Sequence, residues 1–488
     1  MFSFHKKYFF FFFLTIFLTL SFLSCEKDNF TTNPLHTIEF STDTITFDTL
    51  FTTVGSTTAK VMVYNHNSKA VRISTIALAQ GGNSFFRINV DGAVNENNFF
   101  SNVEIPAHDS IYIFVEVTID ATDSDVPVLM EDKIVFLVNG IVKQIQLQAY
   151  GQEVEIFRNK TIRNDTLLTA KKPYLIYGDL IIDTARTLTL EAGTKFYFHH
   201  NANLIVYGNL RAEGTFEHPI LMRGDRFDKI NFETPIPYNV VAGQWGGIYL
   251  LGENGEHLLR HVKMNSGYVG IYLSNQNINS LPHLEINSCY IHNFLRYGLV
   301  IQNANVDVIN TEISNSSGYC VYLNGGTHSF IHCTIVNYFN NSNVQPVSRG
   351  SDPAFMIMTL NRVAPMHTAI KNSVITGTLE NEFSLVTRFL DEYKGTFSNN
   401  YIRKYEPLDL PQFTNIRWYE KNDTVFKNIY YDYKKNNYFN FEPDSISPIR
   451  DLGDYTIATE YCPLDLNGNN RLADGKPDAG AYEWKPTE

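Results

Sequence analysis

Cysteine is scarce in this chain of 488 residues, with five in all, at positions 25, 289, 320, 333 and 462. None belongs to a C-x-x-C pair, which argues against a disulfide framework and against a structural zinc site. Charge is thin as well. Only 18% of residues are charged, 51 acidic against 39 basic, for a formal net charge of -12. No basic block stands out, so nucleic acid and an anionic membrane surface are poor candidates for the main partner. The longest apolar stretch, Tyr8 to Leu23, has sixteen apolar or hydroxyl residues, short of the roughly 20 that a membrane-spanning helix needs. What is abundant is apolar and aromatic: 44% hydrophobic and 14% aromatic residues. That is too apolar for a disordered chain and long enough for two or three folded domains.

The chain opens with Lys6 and Lys7, then the run through Phe9 to Phe13, then Ser24 and Cys25, the order of a secretory signal over residues 1–24. Phe22-Leu23-Ser24-Cys25 resembles a bacterial lipobox, with Phe22 where Leu is usual. The resemblance implies that Cys25 becomes the lipidated first residue of the mature chain. Cys25-Glu26-Lys27-Asp28 resembles the short lysine-plus-acid tag that directs lipoproteins of the Bacteroidota to the outer face of the outer membrane. Asp-Ser/Thr-apolar tripeptides at Thr44, Thr49, Ser110, Thr166, Thr184, Thr424 and Ser445 resemble that phylum's O-glycosylation signal; such tripeptides also arise by chance in Thr-rich strands.

A polar tether, residues 25–35, leads into short alternating segments over residues 36–153, such as Ala59 to Asn65, Ile111 to Val117 and Ile134 to Val138. Period-two alternation broken by Gly81-Gly82-Asn83 and Asn139-Gly140 predicts an antiparallel sandwich. Tyr64-Asn65-His66-Asn67 early and Leu147 to Gly151 late make it resemble the immunoglobulin-like modules of the ASPM/SPD-2/Hydin type. The resemblance implies a spacer or protein-binding unit.

From residue 154 onward the chain repeats. Tyr177-Gly178-Asp179-Leu180 recurs at Tyr207-Gly208-Asn209-Leu210, and Gly247-Ile248-Tyr249-Leu250 recurs at Gly270-Ile271-Tyr272-Leu273. Looser copies follow at Gly298 to Ile301 and Cys320 to Leu323. A second ladder runs in step: Val262-Lys263-Met264, Cys289-Tyr290-Ile291, Thr311-Glu312-Ile313, Cys333-Thr334-Ile335, Ser373-Val374-Ile375 and Asn400-Tyr401-Ile402, at offsets of 27, 22, 22, 40 and 27. Units near 22 residues with two or three short strands fit one coil of a parallel β-helix. These residues resemble the right-handed parallel β-helix superfamily. The fold class predicted is therefore all-β, an immunoglobulin-like sandwich followed by a right-handed parallel β-helix over residues 154–488. The ending, Ser447 to Gly453, Asp465 to Arg471 and Pro477 to Trp484, resembles that of secreted bacterial β-helix proteins of the choice-of-anchor group and is expected to cap the last coil.

Several positions on the repeat are candidate sites. His261, Ser288, Asn310, His332, Asn372 and Asn399 precede the second ladder at one equivalent point, where a sharp bend suits residues that tolerate left-handed backbone angles. Bend residues are the commoner role for His261 and His332, metal ligands the rarer. Asn293, Asn315 and Asn337 form another row. Cys289 and Cys333, two coils apart, are expected to be free thiols. Tyr249, Tyr272, Val300 and Tyr322 fall in one outward file; Tyr249, Tyr272 and Tyr322 form a candidate glycan platform, the alternative being rings packed under an insertion. Asp225 to Ala242, Asn337 to Pro365 and Trp418 to Tyr438 are candidate covering loops.

Catalysis has less support. Glu253, Glu256, Glu285, Asp307, Glu312, Asp352 and Glu380 are scattered, with no Asp-Asp pair and no Gly-His-Gly, which speaks against hydrolase chemistry. Lys263, Tyr290 and Glu312 share one outward file, with Arg260 and Arg296 nearby, and are the best constellation for a polysaccharide lyase. Asp465, Asn467 and Asn469 do not match an EF-hand loop. No metal or cofactor is expected. The favoured function is a non-catalytic lipoprotein, anchored in the outer membrane and exposed at the cell surface, with a glycan or a surface protein as partner. The alternative is a lyase acting on an acidic glycan.

Overall fold

The computed structural model describes residues 30–486, apart from 53, 121–123, 125, 231–235, 343, 345–346, 360–365, 388–392, 433–434 and 436–437. Cys25 and the predicted signal lie outside the described residues. The chain divides into two compact units, Met1–Glu153 and Val154–Glu488.

The first unit is a sandwich of two five-stranded sheets. One joins Glu39–Phe40, Ala59–Asn65, Asp109–Val117, Phe86–Val90 and Ala93–Val94, and the other joins Thr44–Phe51, Ile141–Gln152, Val128–Val138, Val71–Leu78 and Phe99–Ile105. Alternation does the sorting: in Asp109–Val117 the side chains of Ile111, Ile113, Val115 and Val117 enter the core while those between face outward. One pairing departs from the antiparallel expectation. The first long strand, Thr44–Phe51, lies parallel to the last, Ile141–Gln152. Asn65, in the tetrapeptide singled out above, is fully buried and donates its amide to the carbonyls of Lys69, Ile105 and Pro106 at 2.9, 3.1 and 2.8 Å. It ties a chain corner in place, satisfying carbonyls that would otherwise be buried without partners.

The second unit is the solenoid. Each full coil lays down three short strands, as in His283–Asn287, Tyr290–Phe294 and Tyr297–Gln302, followed by Asn305–Ile309, Glu312–Ser316 and Val321–Asn324. Like residues stack in parallel register. Ile291, Ile313 and Ile335 form one buried column, and Leu299, Val321 and Phe355 another. Three faces result. The first carries the Gly-Ile-Tyr-Leu copies and the second carries Lys263, Tyr290 and Glu312. The third is a ten-stranded sheet from Thr166–Leu168 to Phe413–Thr414.

The corner between the third and second faces is the predicted row. His261, Ser288, Asn310, His332, Asn372 and Asn399 all have positive φ, between 47° and 57°. Polar side chains there bond along the stack, Asn310 to Ser288 Oγ at 3.1 Å and Asn372 to His332 Nε2 at 2.9 Å. His332 is a bend residue, fully buried, and its Nδ1 meets the carbonyl of Gly480 at 3.3 Å. Of the second row, Asn293 and Asn315 are left-handed but Asn337 is not; Ser266 holds the equivalent point one coil earlier. Asn337 sits at the start of a long excursion and uses its amide to bond the carbonyls of Ser316 and Gly318 instead. Cys289 and Cys333 are free and buried, and burial pushes both thiols up to about 12.

The ending does not sit on the last coil. It folds back along the side of the solenoid, because the outward residues of the second face become apolar toward the C-terminal coils. Val336, Val374 and Tyr401 need a cover, and Phe426, Phe441, Ile449, Leu466 and Tyr482 provide it. Gly480 N donates to the carbonyl of Asn372 and Ala481 N to Thr334 Oγ1, at 2.8 and 2.9 Å. Fully buried Arg471 reaches Asn310 Oδ1 and Glu483, both at 2.8 Å. The last coils are closed instead by the stack of Phe397 on Phe413, 4.3 Å apart, with Trp418 and Leu408 packed against the same core.

A buried histidine gives a pH test. His328 is wholly enclosed between Thr368 Oγ1 and the carbonyl of Gly325, and burial holds its imidazole down, at about 4. A folded value below the ordinary 6.5 means that protonation favours the unfolded chain, so the stability is present above pH 6.5 and lost as pH falls toward 4. His328→Gln should be less stable than the parent at pH 7.5, and the gap should close by roughly 2–3 kcal/mol at pH 4. Equal gaps in urea unfolding at both pH values would contradict this.

Candidate sites on the first and second faces

The three tyrosines of the predicted platform lie on one face. Tyr249 pairs with Tyr272, Tyr272 with Val300 and Val300 with Tyr322 in successive coils. All three rings are half-buried, while Val300 is buried at 4% exposure. Tyr249 and Tyr272 have ring centroids 5.9 Å apart, and burial raises the phenol of Tyr249 above its ordinary value. Tyr272 donates to Gln302 Oε1 at 3.0 Å, which holds its ring against the sheet.

The break at Val300 is narrower than the sequence suggests, because two further tyrosines flank it. Tyr297 and Tyr319 stack at 5.8 Å with an 18° tilt, and Tyr319 lies 5.4 Å from Tyr322. Their position at the corner between the second and first faces, outside the repeated tetrapeptide, is why the repeat alone did not point to them. Arg296 lies over Tyr297 at 5.5 Å. The result is a band of five rings along the stacking direction, suited to apolar ring faces such as those of sugars.

The second site is a cavity of about 750 Å³ on the second face. Its floor is a grid set by strand register. Leu221, Lys263, Tyr290 and Glu312 form one row, and Asn265 and His292 the next. Its walls come from the 238–240 turn, through Asn239, and from the returning C-terminal segment, through Phe439, Phe441, Asn467 and Tyr482. Two of the three candidate covering loops contribute to it, one through Asn239 and the other through Tyr438. The third instead ties itself down through Arg349, whose guanidinium forms a buried pair with Glu382.

The lyase candidates Lys263, Tyr290 and Glu312 are therefore brought together, but their side chains are occupied in ways that oppose that chemistry. Burial, then the charge of Glu312, pushes the phenol of Tyr290 well above its ordinary value, and its hydroxyl is bonded to Asn467 Oδ1 at 3.2 Å. A lyase base must give up its own proton readily, which is the opposite shift. Glu312, 6% exposed, accepts hydrogen bonds from Tyr482 and Ser314. Lys263 alone projects outward, its ammonium 5.1 Å from the Tyr290 ring centre. Arg260 is on the third face, paired with Glu285 at 3.2 Å. Among the described residues there is no cluster of three or more His, Cys, Asp and Glu that could hold a metal ion. Asp465 spends its carboxylate on the backbone of Asn467, Asn469 and Glu483 and on the Asn469 amide. Thr44, Thr184, Thr424 and Ser445 are exposed, and Thr49, Ser110 and Thr166 are half-buried.

No family model matches the chain. Over 100 residues, 20% of the chain, it is 33% identical to Protein bark beetle of Drosophila melanogaster, and it spans 3% of that protein's length. Among solved structures it is similar to the ASH/PapD-like domain of human CEP192, PapD-like domain 7, at 13% identity over 27% of this chain and 94% of that one, with a TM-score of 0.18. It is also similar to a family 123 glycoside hydrolase from Clostridium perfringens, at 9% identity over 23% of this chain and 26% of that one, with a TM-score of 0.17. Likeness at these levels carries no argument about function.

Proposed function

We propose that this protein is a non-catalytic, glycan-binding lipoprotein of the Bacteroidota type, held at the outer membrane through a lipid on Cys25 and exposed at the cell surface. The observation that carries the binding role is the band of half-buried tyrosines on the first face, Tyr249, Tyr272, Tyr322, Tyr297 and Tyr319. Rings held in place by sheet packing and by bonds such as Tyr272 to Gln302 lose little freedom when a sugar stacks on them. The sandwich serves as spacer or docking module. The anchor rests on the charged start, short apolar run and cysteine of the sequence.

A polysaccharide lyase is the second reading, favoured by the row Lys263, Tyr290 and Glu312 on the floor of a cavity. The raised phenol of Tyr290 and the occupied carboxylate of Glu312 weigh against it.

Both readings meet one experiment, a glycan array whose retained glycans are then incubated with the protein and followed for unsaturated products in the ultraviolet. The binding role predicts retention without product, and Tyr249→Ala or Tyr272→Ala should each weaken retention by about 0.5–1.5 kcal/mol, the range for aromatic contacts. Unsaturated product would replace this reading with the lyase, and tyrosine variants that unfold more easily yet bind as before would remove the platform. For the anchor, labelled palmitate should be incorporated and lost in Cys25→Ala; incorporation that survives the substitution would refute it.

A further inference from the structure

Three side chains from the C-terminal part of the chain meet around one carboxylate. Strands Phe426–Asn428 and Asn440–Pro443 pair antiparallel, and Lys427 Nζ lies 2.7 Å from Glu442 Oε2. The other oxygen of that carboxylate, Oε1, accepts from Asn467 Nδ2 at 2.9 Å. An amine and a carboxamide thus share one carboxylate, one on each oxygen. The orientation of the amide follows from its partners. A carboxylate only accepts, so Nδ2 belongs on Glu442 and Oδ1 on the hydroxyl of Tyr290, which donates to it at 3.2 Å.

These four groups supply what the joining of an amine to a carboxamide needs: a nucleophile, an electrophilic carbonyl, a donor on the carbonyl oxygen, and a base that touches both the attacking and the leaving nitrogen. The shift that disqualifies Tyr290 as a base suits it as the donor, because burial keeps its proton in place. Asn467 is held still, its backbone N donating to Asp465 Oδ1 at 2.9 Å. The competing nucleophile for an asparagine before glycine is the next backbone nitrogen. Here Gly468 N is committed to the carbonyl of Asp465 at 3.0 Å. The side chains of Lys427 and Glu442 are 27% and 28% exposed, which leaves a way out for a small leaving group.

We propose that Lys427 and Asn467 become joined by an intramolecular isopeptide bond that the chain forms by itself around Glu442. Glu442 takes a proton from the ammonium of Lys427, and the neutral Nζ attacks Cγ of Asn467. Negative charge gathers on Oδ1, where the Tyr290 hydroxyl meets it. The C–N bond to Nδ2 then breaks, and Glu442 passes the two protons lost by Nζ to the leaving nitrogen, which departs as ammonium. One C–N bond forms, one breaks, the charge is unchanged and Glu442 ends as it began. A lysine is mostly protonated at neutral pH, but groups already held together react through a small neutral fraction, since proximity replaces a bimolecular encounter. The bond would fasten the 426–443 hairpin to the ending, which Arg471 already ties to Asn310 of the solenoid.

Trypsin digestion of the denatured full chain, read by mass spectrometry, tests this without any variant. The peptides that hold Lys427 and Asn467 should appear joined, lighter than their sum by one ammonia, with no cleavage after Lys427. In Lys427→Gln and in Glu442→Gln only separate peptides should appear. Tyr290→Phe should slow the joining about a hundredfold, the order for loss of one donor to a developing oxyanion, read as the joined fraction against time after synthesis. Complete cleavage after Lys427 in the parent, with Asn467 unlinked or closed to a succinimide with Gly468, would overturn the proposal. A joined product in Glu442→Gln at the parent's level would overturn it as well.

Discussion

Everything else in the solenoid depends on a corner that every coil must turn in the same way. At the junction of the third and second faces the backbone reverses through a left-handed residue, and L-amino acids pay for that conformation unless the side chain is short and polar. Asn310, Asn372 and Asn399 meet the requirement directly, and their amides bond to neighbours along the stack or to the returning ending. Once that corner is fixed, the strands on either side fall into parallel register, and Ile291, Ile313 and Ile335 stack as one column. A one-residue slip would turn that column outward and bring polar residues such as Glu312 inward, so register is specified coil by coil.

The second constraint is that one face changes character along its length. Toward the C-terminus its outward positions are Val336, Val374 and Tyr401, which are covered; toward the N-terminus they include Lys263, which is exposed, and Asn265, which is only half-buried. The C-terminal segment lies where the apolar positions are, anchored by Arg471 to Asn310 and by Tyr482 to Glu312. The cavity lies where that cover runs out. Its position thus follows from sequence chemistry on two distant stretches, the outward residues of the ladder and the polar inner edge of the ending.

Much of this was legible in the sequence because repetition is a local signal. The corner row, the free thiols and the in-register tyrosines all follow from counting residues between like positions. Lys263, Tyr290 and Glu312 were found as neighbours by the same count. Contacts between stretches with no shared period escaped it: Tyr482 on Glu312 joins residues 170 positions apart, and nothing in either neighbourhood announces the other. The closing pattern was recognised as a unit but placed on the end of the stack. The reason it lies on the side, the apolar outward run of Val336 and Val374, was present in the ladder triplets all along. Tyr297 and Tyr319 were missed because they occupy a corner, where alternation says nothing about which way a ring faces.

The proposed binding role puts ligand on the tyrosines of the first face of the solenoid. Hydroxyl-radical footprinting of the full chain, with and without a glycan that the array retains, reads tyrosine side chains individually. Tyr249, Tyr272, Tyr297, Tyr319 and Tyr322 should become protected while exposed Tyr207 and Tyr405 stay equally reactive. Protection confined to the sandwich, at Tyr64, Tyr112 or Tyr150, or no protected tyrosine at all, would contradict it.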